Sequence, residues 1–197
     1  MINKYQLFSI MSFAKNFCAK AKDDKLPMLK GVFLEIDNSH MTLTSTDGQH
    51  ASLITVPIES DISASAIIRV DDIELLCKMM SCDAKATESV SIEIDDSVTV
   101  FKTEHCELIT ERLAQDESYP DIKKLALRDG KEPTGVPMIA VSPTLLRQAA
   151  KTALAISNNG VVMYTWDATS FIKLVVDPKP ELDVVTAFIL LAPMSIP

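Results

Sequence analysis

Three stretches of the sequence share one pattern: a strand-like run that ends in Asp, then a short turn, then a second alternating run. The first runs are 32–37, 90–95 and 162–167, and the second runs are 41–44, 98–101 and 171–176. A helix-like segment precedes each pair of runs, and a further apolar run follows it. Internal repeats constrain a fold more strongly than any single residue does. The sequence therefore predicts tandem units of one strand, one helix and three strands.

These units predict the fold class. Short turns between alternating runs indicate antiparallel hairpins, so we expect an α+β fold with three main helices on one face of antiparallel sheets. Residues 1–125 should form one complete domain from two repeats, 1–62 and 63–125. The Lys-, Gly- and Pro-rich stretch 122–137 reads as a polar connector, within which 126–137 is the linker. Residues 138–197 should form a third repeat, which is half a domain.

The spacing of apolar residues predicts one helix in each repeat. The first spans about 7–22 and has no clear N-cap. The second spans about 73–80 and begins at Asp71 or Asp72, where a carboxylate can accept hydrogen bonds from free amides. The third begins with Ser142 as N-cap and a proline at the first helical position.

The charge of the chain is distributed unevenly. A net charge of −8 argues against a protein whose whole surface binds nucleic acid. Yet the only charged side chains within the first and third helices are positive: Lys15, Lys20, Lys22, Arg147 and Lys151. Two interpretations stay open, because Lys and Arg are ordinary solvent-facing helix residues and are also the residues that face phosphates.

The sequence gives little support to an enzyme. Its three histidines are scattered, without a partnered nucleophile, and its five glycines lack the spacing of a phosphate-binding loop. Asp37, Asp95 and Asp167 recur at the same place in each repeat, which favours a turn role over a shared metal site. We therefore expect no catalytic residues, no cofactor and no metal.

Cysteine usage and hydropathy bound the location. The four cysteines form no CxxC pair, which is typical of reduced thiols in a cytosolic protein. No apolar run approaches the ~18 residues of a membrane span, and the N-terminus lacks the features of a signal peptide. We expect a cytoplasmic protein without membrane contact.

Four segments together carry a resemblance to a known family. They are Leu26-Pro-Met-Leu-Lys-Gly-Val-Phe-Leu-Glu-Ile-Asp, continuing through Met41-Thr-Leu-Thr-Ser-Thr-Asp-Gly; Ile68-Arg-Val-Asp-Asp-Ile-Glu-Leu-Leu; Leu113-Ala-Gln-Asp-Glu-Ser-Tyr-Pro-Asp; and Ala187-Phe-Ile-Leu-Leu-Ala-Pro-Met. The first three resemble the first domain of a bacterial DNA polymerase β sliding clamp (DNA polymerase III beta subunit). The fourth is similar to the last strand of the clamp's final domain.

This resemblance implies a non-enzymatic ring that slides on duplex DNA. Each clamp domain contains two repeats, with helices lining the hole and sheets outside, and partners bind through a short peptide in a surface groove. By this resemblance the residues facing the hole would be Lys15, Lys20, Lys22, Arg147 and Lys151. Those that match the tail of the partner-peptide groove are Leu190, Leu191, Pro193 and Met194.

Two functional hypotheses follow. The first is a sliding-clamp-like processivity factor that encircles or contacts duplex DNA without sequence preference and binds a replication polymerase or clamp loader. The alternative is a clamp-derived interaction protein that binds a replication protein or a host clamp without encircling DNA. The basic helices favour the first hypothesis.

A homo-oligomer is expected under the first hypothesis. Leu145, Leu146, Ala149 and Ala153 form an apolar helix stripe that half a domain would leave uncovered, and such patches favour association. We expect the third repeat to pair with that of a second copy, giving a dimeric arc. Two arcs would give a tetrameric ring with the twelve repeats of a clamp.

Overall fold

The computed structural model describes nine parts of the chain, and elements are given within these. They are residues 1–20, 26–37, 39–60, 62–81, 88–113, 119–126, 142–157, 161–164 and 171–192.

The first repeat contains one short strand, one helix and three long strands. In order these are β1 (Ile2–Asn3), α1 (Lys4–Ala14), β2 (Gly31–Asp37), β3 (His40–Thr46) and β4 (Ala51–Pro57). Turns of 3-10 helix lie at Lys15–Phe17, directly after α1, and at Pro27–Lys30, directly before β2. Strand β1 has 2 residues, too few for a sequence pattern to reveal its position.

The second repeat follows the same order. Its elements are β5 (Ala64–Arg69), α2 (Val70–Ser81), β6 (Ser89–Ile94), β7 (Val98–Lys102) and β8 (Glu107–Glu111). Helix α2 begins at Val70, so Asp71 and Asp72 lie in its first turn instead of capping it. Carboxylates there still interact favourably with the positive end of the helix dipole.

The last part of the chain contains two helices and three strands. They are α3 (Ile122–Leu125), α4 (Pro143–Ala153), β9 (Val161–Tyr164), β10 (Ile172–Val176) and β11 (Thr186–Leu191), with a 3-10 turn at Pro180–Leu182. Ser142 takes the N-cap position of α4, as predicted, but its side chain makes no capping hydrogen bond. The strand predicted at 138–141 lies outside the described residues.

Two antiparallel sheets contain the eleven strands of the described residues. One has the order β1-β6-β7-β8, and the other has the order β5-β2-β3-β4-β11-β10-β9. The first and second repeats exchange their first strands, since β1 pairs with β6 and β5 pairs with β2. The predicted fold class is confirmed, whereas the division at 125, 137 and 138 stays a prediction.

The helices share one apolar core with the sheets. Helix α1 contacts both α2 and α4, and all three contribute buried side chains to a single cluster. Phe13 of α1 and Phe101 of β7 are its largest fully buried side chains. Burial of apolar area of this kind supplies most of the driving force for folding.

A smaller apolar cluster lies outside this core and corrects one prediction. Ile122 and Ala126 are buried against Leu53 and Phe188 of the seven-stranded sheet. The connector predicted at 122–137 therefore starts with a packed helical turn, whose N-cap is Asp121. Two buried apolar residues among charged ones are too few to reveal a helix by periodicity.

The boundaries of α1 also differ from the prediction. Its N-cap is Asn3, whose Oδ1 accepts hydrogen bonds from the backbone N–H groups of Tyr5 (2.9 Å) and Gln6 (3.2 Å). The helix ends at Ala14, well before the predicted end at Lys22. None of the helices in the described parts of the chain is long and apolar enough to cross a membrane.

Replacing Asn3 with Ala should lower the free energy of unfolding by about 1 kcal/mol, because two N–H groups of α1 would lose their acceptor. Asn3→Asp should restore most of the loss, since Asp is an equally good N-cap. Urea unfolding followed by circular dichroism measures both variants. Equal stability of Asn3→Ala and the parent protein would contradict the capping role.

Asp47 should make stability depend on pH. Partial burial alone would raise its pKa, but hydrogen bonds from the His50 side chain and from the backbone of His50 and Gln49 hold the pKa of this carboxyl below its usual value. Its stabilising effect is thus present above about pH 4 and is lost as the pH falls through the lowered pKa.

Asp47→Ala should therefore destabilise the protein by about 1–2 kcal/mol at pH 7 and by progressively less below about pH 4. Urea unfolding at several pH values measures the difference. Asp96→Ala, at an exposed turn, is the control, expected within about 0.5 kcal/mol of the parent protein. A constant difference for Asp47→Ala down to pH 2 would contradict this assignment.

Candidate nucleic-acid interface

A cleft of about 820 Å³ lies where the first, second and third repeats meet. Its walls come from the segment that follows α1, the turn before β2, the junction of β5 and α2, and α4. Six basic residues line it: Lys15, Lys20, Lys30, Arg69, Arg147 and Lys151. Asp71 is the single acidic residue among the lining residues that the structure describes. The cleft therefore concentrates positive charge on a chain whose net charge is −8.

Helix α4 places two of these cations by its periodicity. Arg147 and Lys151 are one turn apart and exposed, whereas Ala149 and Ala153 on the opposite side are buried. The sequence of α4 contains no acidic residue. The charged side chains of α4 are therefore all basic.

A contact between α4 and the turn that follows α1 joins the two basic segments. The Gln148 side-chain amide donates a hydrogen bond of 2.9 Å to the backbone carbonyl of Asn16. Asn16 lies beside Lys15, in the 3-10 turn that follows α1. Residues more than 130 positions apart are thus brought to one cleft.

Strand pairing places Lys30 and Arg69 together. Arg69, the last residue of β5, is the direct partner of Gly31, which follows Lys30. A Cβ at position 31 would lie 2.7 Å from both the Ile67 side chain and the Ile68 carbonyl oxygen. Glycine therefore permits the close approach of β5 to β2 that brings these two cations into the cleft.

A thiol in the cleft wall has little nucleophilic character. Burial, helped by the charge of Asp47, raises the pKa of Cys18 to about 12. At neutral pH the side chain is then a thiol, whereas nucleophilic attack needs the thiolate. The chemistry that the cleft offers is the electrostatic binding of anions.

The structure brings together four of the five residues that were predicted to face DNA. Lys15, Lys20, Arg147 and Lys151 line the cleft, and Lys22 lies outside the described residues. Lys30 and Arg69 were missed because neither lies on a helix with a one-signed charge pattern. The role of all these residues in binding DNA stays a prediction.

Two of the four residues predicted for a partner-peptide groove are described, and neither lines the cleft. Leu190 and Leu191 in β11 are 1% and 0% exposed. Leu190 packs in the outer cluster with Phe188, whereas Leu191 belongs to the main core. Pro193 and Met194 lie outside the described residues, and a groove role for the four stays a prediction.

Other polar residues that could have formed a site have structural partners. The His50 Nδ1 atom lies 3.1 Å from Asp47 Oδ2. Asp95 accepts hydrogen bonds of 2.8 Å from the backbone of both Ser97 and Val98, which matches the predicted turn role. Among the described residues no group of three or more His, Cys, Asp or Glu side chains is placed to hold a metal ion.

Comparison with solved structures shows the fold. The beta subunit of DNA polymerase III from Thermotoga maritima superposes with a TM-score of 0.81 at 15% identity, over 100% of this chain and 65% of that one. The sliding clamp from Pseudomonas aeruginosa superposes with a TM-score of 0.77 at 15% identity, over 99% of this chain and 65% of that one. For the sliding clamp from Bacillus subtilis the TM-score is 0.76 at 16% identity, over 100% of this chain and 64% of that one. This chain thus spans about 65% of the length of these clamps.

Comparison of sequences shows the family. No curated protein matches the sequence closely enough to count as a relative. The family model described as "DNA polymerase III beta subunit, central domain" matches residues 10–121, more than half of the chain. That segment was expected to resemble the first domain of a clamp, whereas the matching model is that of the central domain. The chain belongs to the family of the DNA polymerase III beta subunit, the bacterial sliding clamp.

Proposed function

We propose that this protein is a non-enzymatic, sliding-clamp-like processivity factor that encircles duplex DNA as an oligomer. The observation that carries the proposal is the cleft lined by six basic residues from all three repeats. Such a one-signed set of Lys and Arg side chains fits the phosphate backbone, which is the same for every sequence.

The charge distribution suits a protein that must hold DNA and still move along it. Contacts to phosphates do not depend on the base sequence, so a protein that binds DNA through them alone can slide. The acidic remainder of the surface repels DNA and limits binding to the cleft. The net charge of −8 and the basic cleft are therefore compatible features of one function.

Sheet edges offer a route to ring closure. Strand β4 of the first repeat pairs with β11 of the third, so the last strands of two repeats meet edge to edge. Strand β8 is the equivalent last strand of the second repeat and lies at the end of its sheet. Its Ile109 is exposed. We propose that the β8 edge pairs with the same edge of another copy.

Partners and location follow from this function. We propose that a replication polymerase or a clamp loader binds the assembly, with Leu190, Leu191, Pro193 and Met194 contributing to a peptide groove. The cytoplasm is the proposed location, since bacterial DNA is replicated there.

Reversing two charges in the cleft should abolish retention on DNA. With six cations, the logarithm of affinity should fall with the logarithm of salt concentration at a slope no steeper than about −5.4. In the double variant Lys15→Glu/Arg147→Glu the slope should weaken to about −3.5, and retention on nicked circular DNA should be lost. Gel filtration of protein with DNA measures retention, and anisotropy of a labelled duplex measures the slope.

The matched control is Lys102→Glu/Lys123→Glu, with two exposed cations that do not line the cleft. It should retain parental binding, because neither side chain lines the cleft. The variant should also stay folded, because the exposed pair of Lys123 with Glu35 contributes little to stability. Equal loss in both double variants would reject the cleft as the DNA site. A parent protein that binds a replication protein but no duplex at low salt would favour the alternative hypothesis.

Lys30 and Arg69 should each contribute one phosphate contact. Lys30→Ala and Arg69→Ala should each reduce the salt slope by about 0.9 and weaken binding equally for duplexes of different sequence. Lys102→Ala serves as the control in the same anisotropy titration. Unchanged slopes for both cleft variants would confine the interface to α4 and the segment that follows α1.

A further inference from the structure

The first and second repeats show how two repeats complete one another. Each gives its first strand to the other's sheet: β5 covers the edge of β2, and β1 covers the edge of β6. Their helices α1 and α2 pack side by side. The arrangement is reciprocal, so a two-fold rotation that exchanges the repeats also exchanges their contacts.

The third repeat has no such mate among the described residues. Strand β9 follows α4 as β2 follows α1, and it ends the seven-stranded sheet. Val161 and Met163 share the core side with their cross-strand partners Val176 and Leu174, yet they are 39% and 47% exposed. In β2, by contrast, the core residues Val32 and Leu34 are 0% exposed.

Helix α4 is uncovered on the corresponding side. Its Gln148 points to the first repeat, through the hydrogen bond to Asn16. Leu146, Ala150 and Leu154, spaced by four residues, form a stripe on the side away from Gln148, and all three are exposed. Leu146 is 44% exposed and Leu154 is 64% exposed. On α1 the stretch from Ile10 to Ala14 contains four residues that are 0% exposed.

These residues form one apolar surface, the third-repeat face, defined by Leu146, Leu154, Val161 and Met163. We propose that a second copy of this chain covers it, third repeat against third repeat, about a two-fold axis. In the first two repeats, one repeat covers the corresponding face of the other. Two third repeats can cover each other in the same way, so the face is self-complementary, as an isologous contact requires. The first two repeats supply the template, and none of the four side chains carries a charge that would oppose the contact.

Among the described strands, β9 is also the edge strand of its sheet. The N–H and C=O groups on the outer edge of β9 invite pairing with another strand, and adjoining apolar side chains strengthen that tendency. Pairing with a second third repeat would cover both features at once. The inference extends the proposed ring assembly, but the contact itself requires no DNA.

Sedimentation equilibrium of the 197-residue chain, without DNA, tests the proposal. We expect an even number of copies at tens of micromolar. The double variant Leu146→Asp/Leu154→Asp should halve the mass, with a dissociation constant raised at least about 100-fold, because four carboxylates would be buried without partners. Met163→Lys, which places a charge beside the edge of β9, should act in the same direction.

Leu125→Asp is the matched control, since Leu125 is an exposed leucine on α3, outside the third-repeat face. It should keep the parental mass. Circular dichroism and urea unfolding establish that each variant is folded, as substitution of exposed side chains predicts.

A parent protein that is strictly monomeric would overturn the proposal, and so would folded variants that keep the parental mass. In the second case the contact between copies lies elsewhere, for example at β8. DNA binding separates this inference from the proposed function: a protein that pairs as expected but binds no duplex at low salt contradicts only the function. A protein that binds duplex through the cleft and still oligomerises when Leu146 and Leu154 are both replaced by Asp contradicts only the pairing.

Discussion

Antiparallel pairing between β4 and β11 holds the first and third repeats in one sheet. Its register places Leu53 opposite Phe188 on the outer side and Ile54 opposite Ala187 on the core side. A slip by one residue would turn apolar side chains to the wrong side, so the register is strongly specified. The same pairing sets α4 beside α1. The basic cleft therefore depends on a backbone contact that none of its charged residues makes.

Much of the fold could be predicted because its strands alternate and its helices have an apolar period. Elements that lack a period were missed or misjudged. Strand β1 has two residues and exists only because β6 pairs with it, and α3 is one turn long. The end of α1 was misplaced because apolar residues continue past Ala14, where Phe17 is still buried, although the chain has entered a 3-10 turn. These features are decided by tertiary contacts, which no local pattern encodes.

Only part of the cleft could be predicted, because only some of its cations lie in a segment with a recognisable pattern. Helical cations without neighbouring acids revealed Lys15, Arg147 and Lys151 as candidates. Lys30 and Arg69 escaped because they meet only through the exchange of β5 into the sheet of the first repeat, opposite Gly31. A lysine before a glycine and an arginine at the end of a strand carry no signal by themselves. The sequence reveals charges that lie on one helix, whereas the structure is needed to find charges that strand pairing brings together.

The reciprocal exchange between repeats has a consequence for orientation on DNA. If a ring closes through two-fold contacts at both the β8 edge and the third-repeat face, those axes run through the ring wall and turn its upper rim into its lower rim. Such a ring is the same from either end of the duplex and has no polarity of its own. A polymerase could then dock upstream or downstream with equal affinity, and the direction of synthesis would have to be supplied by the DNA strand that the polymerase holds.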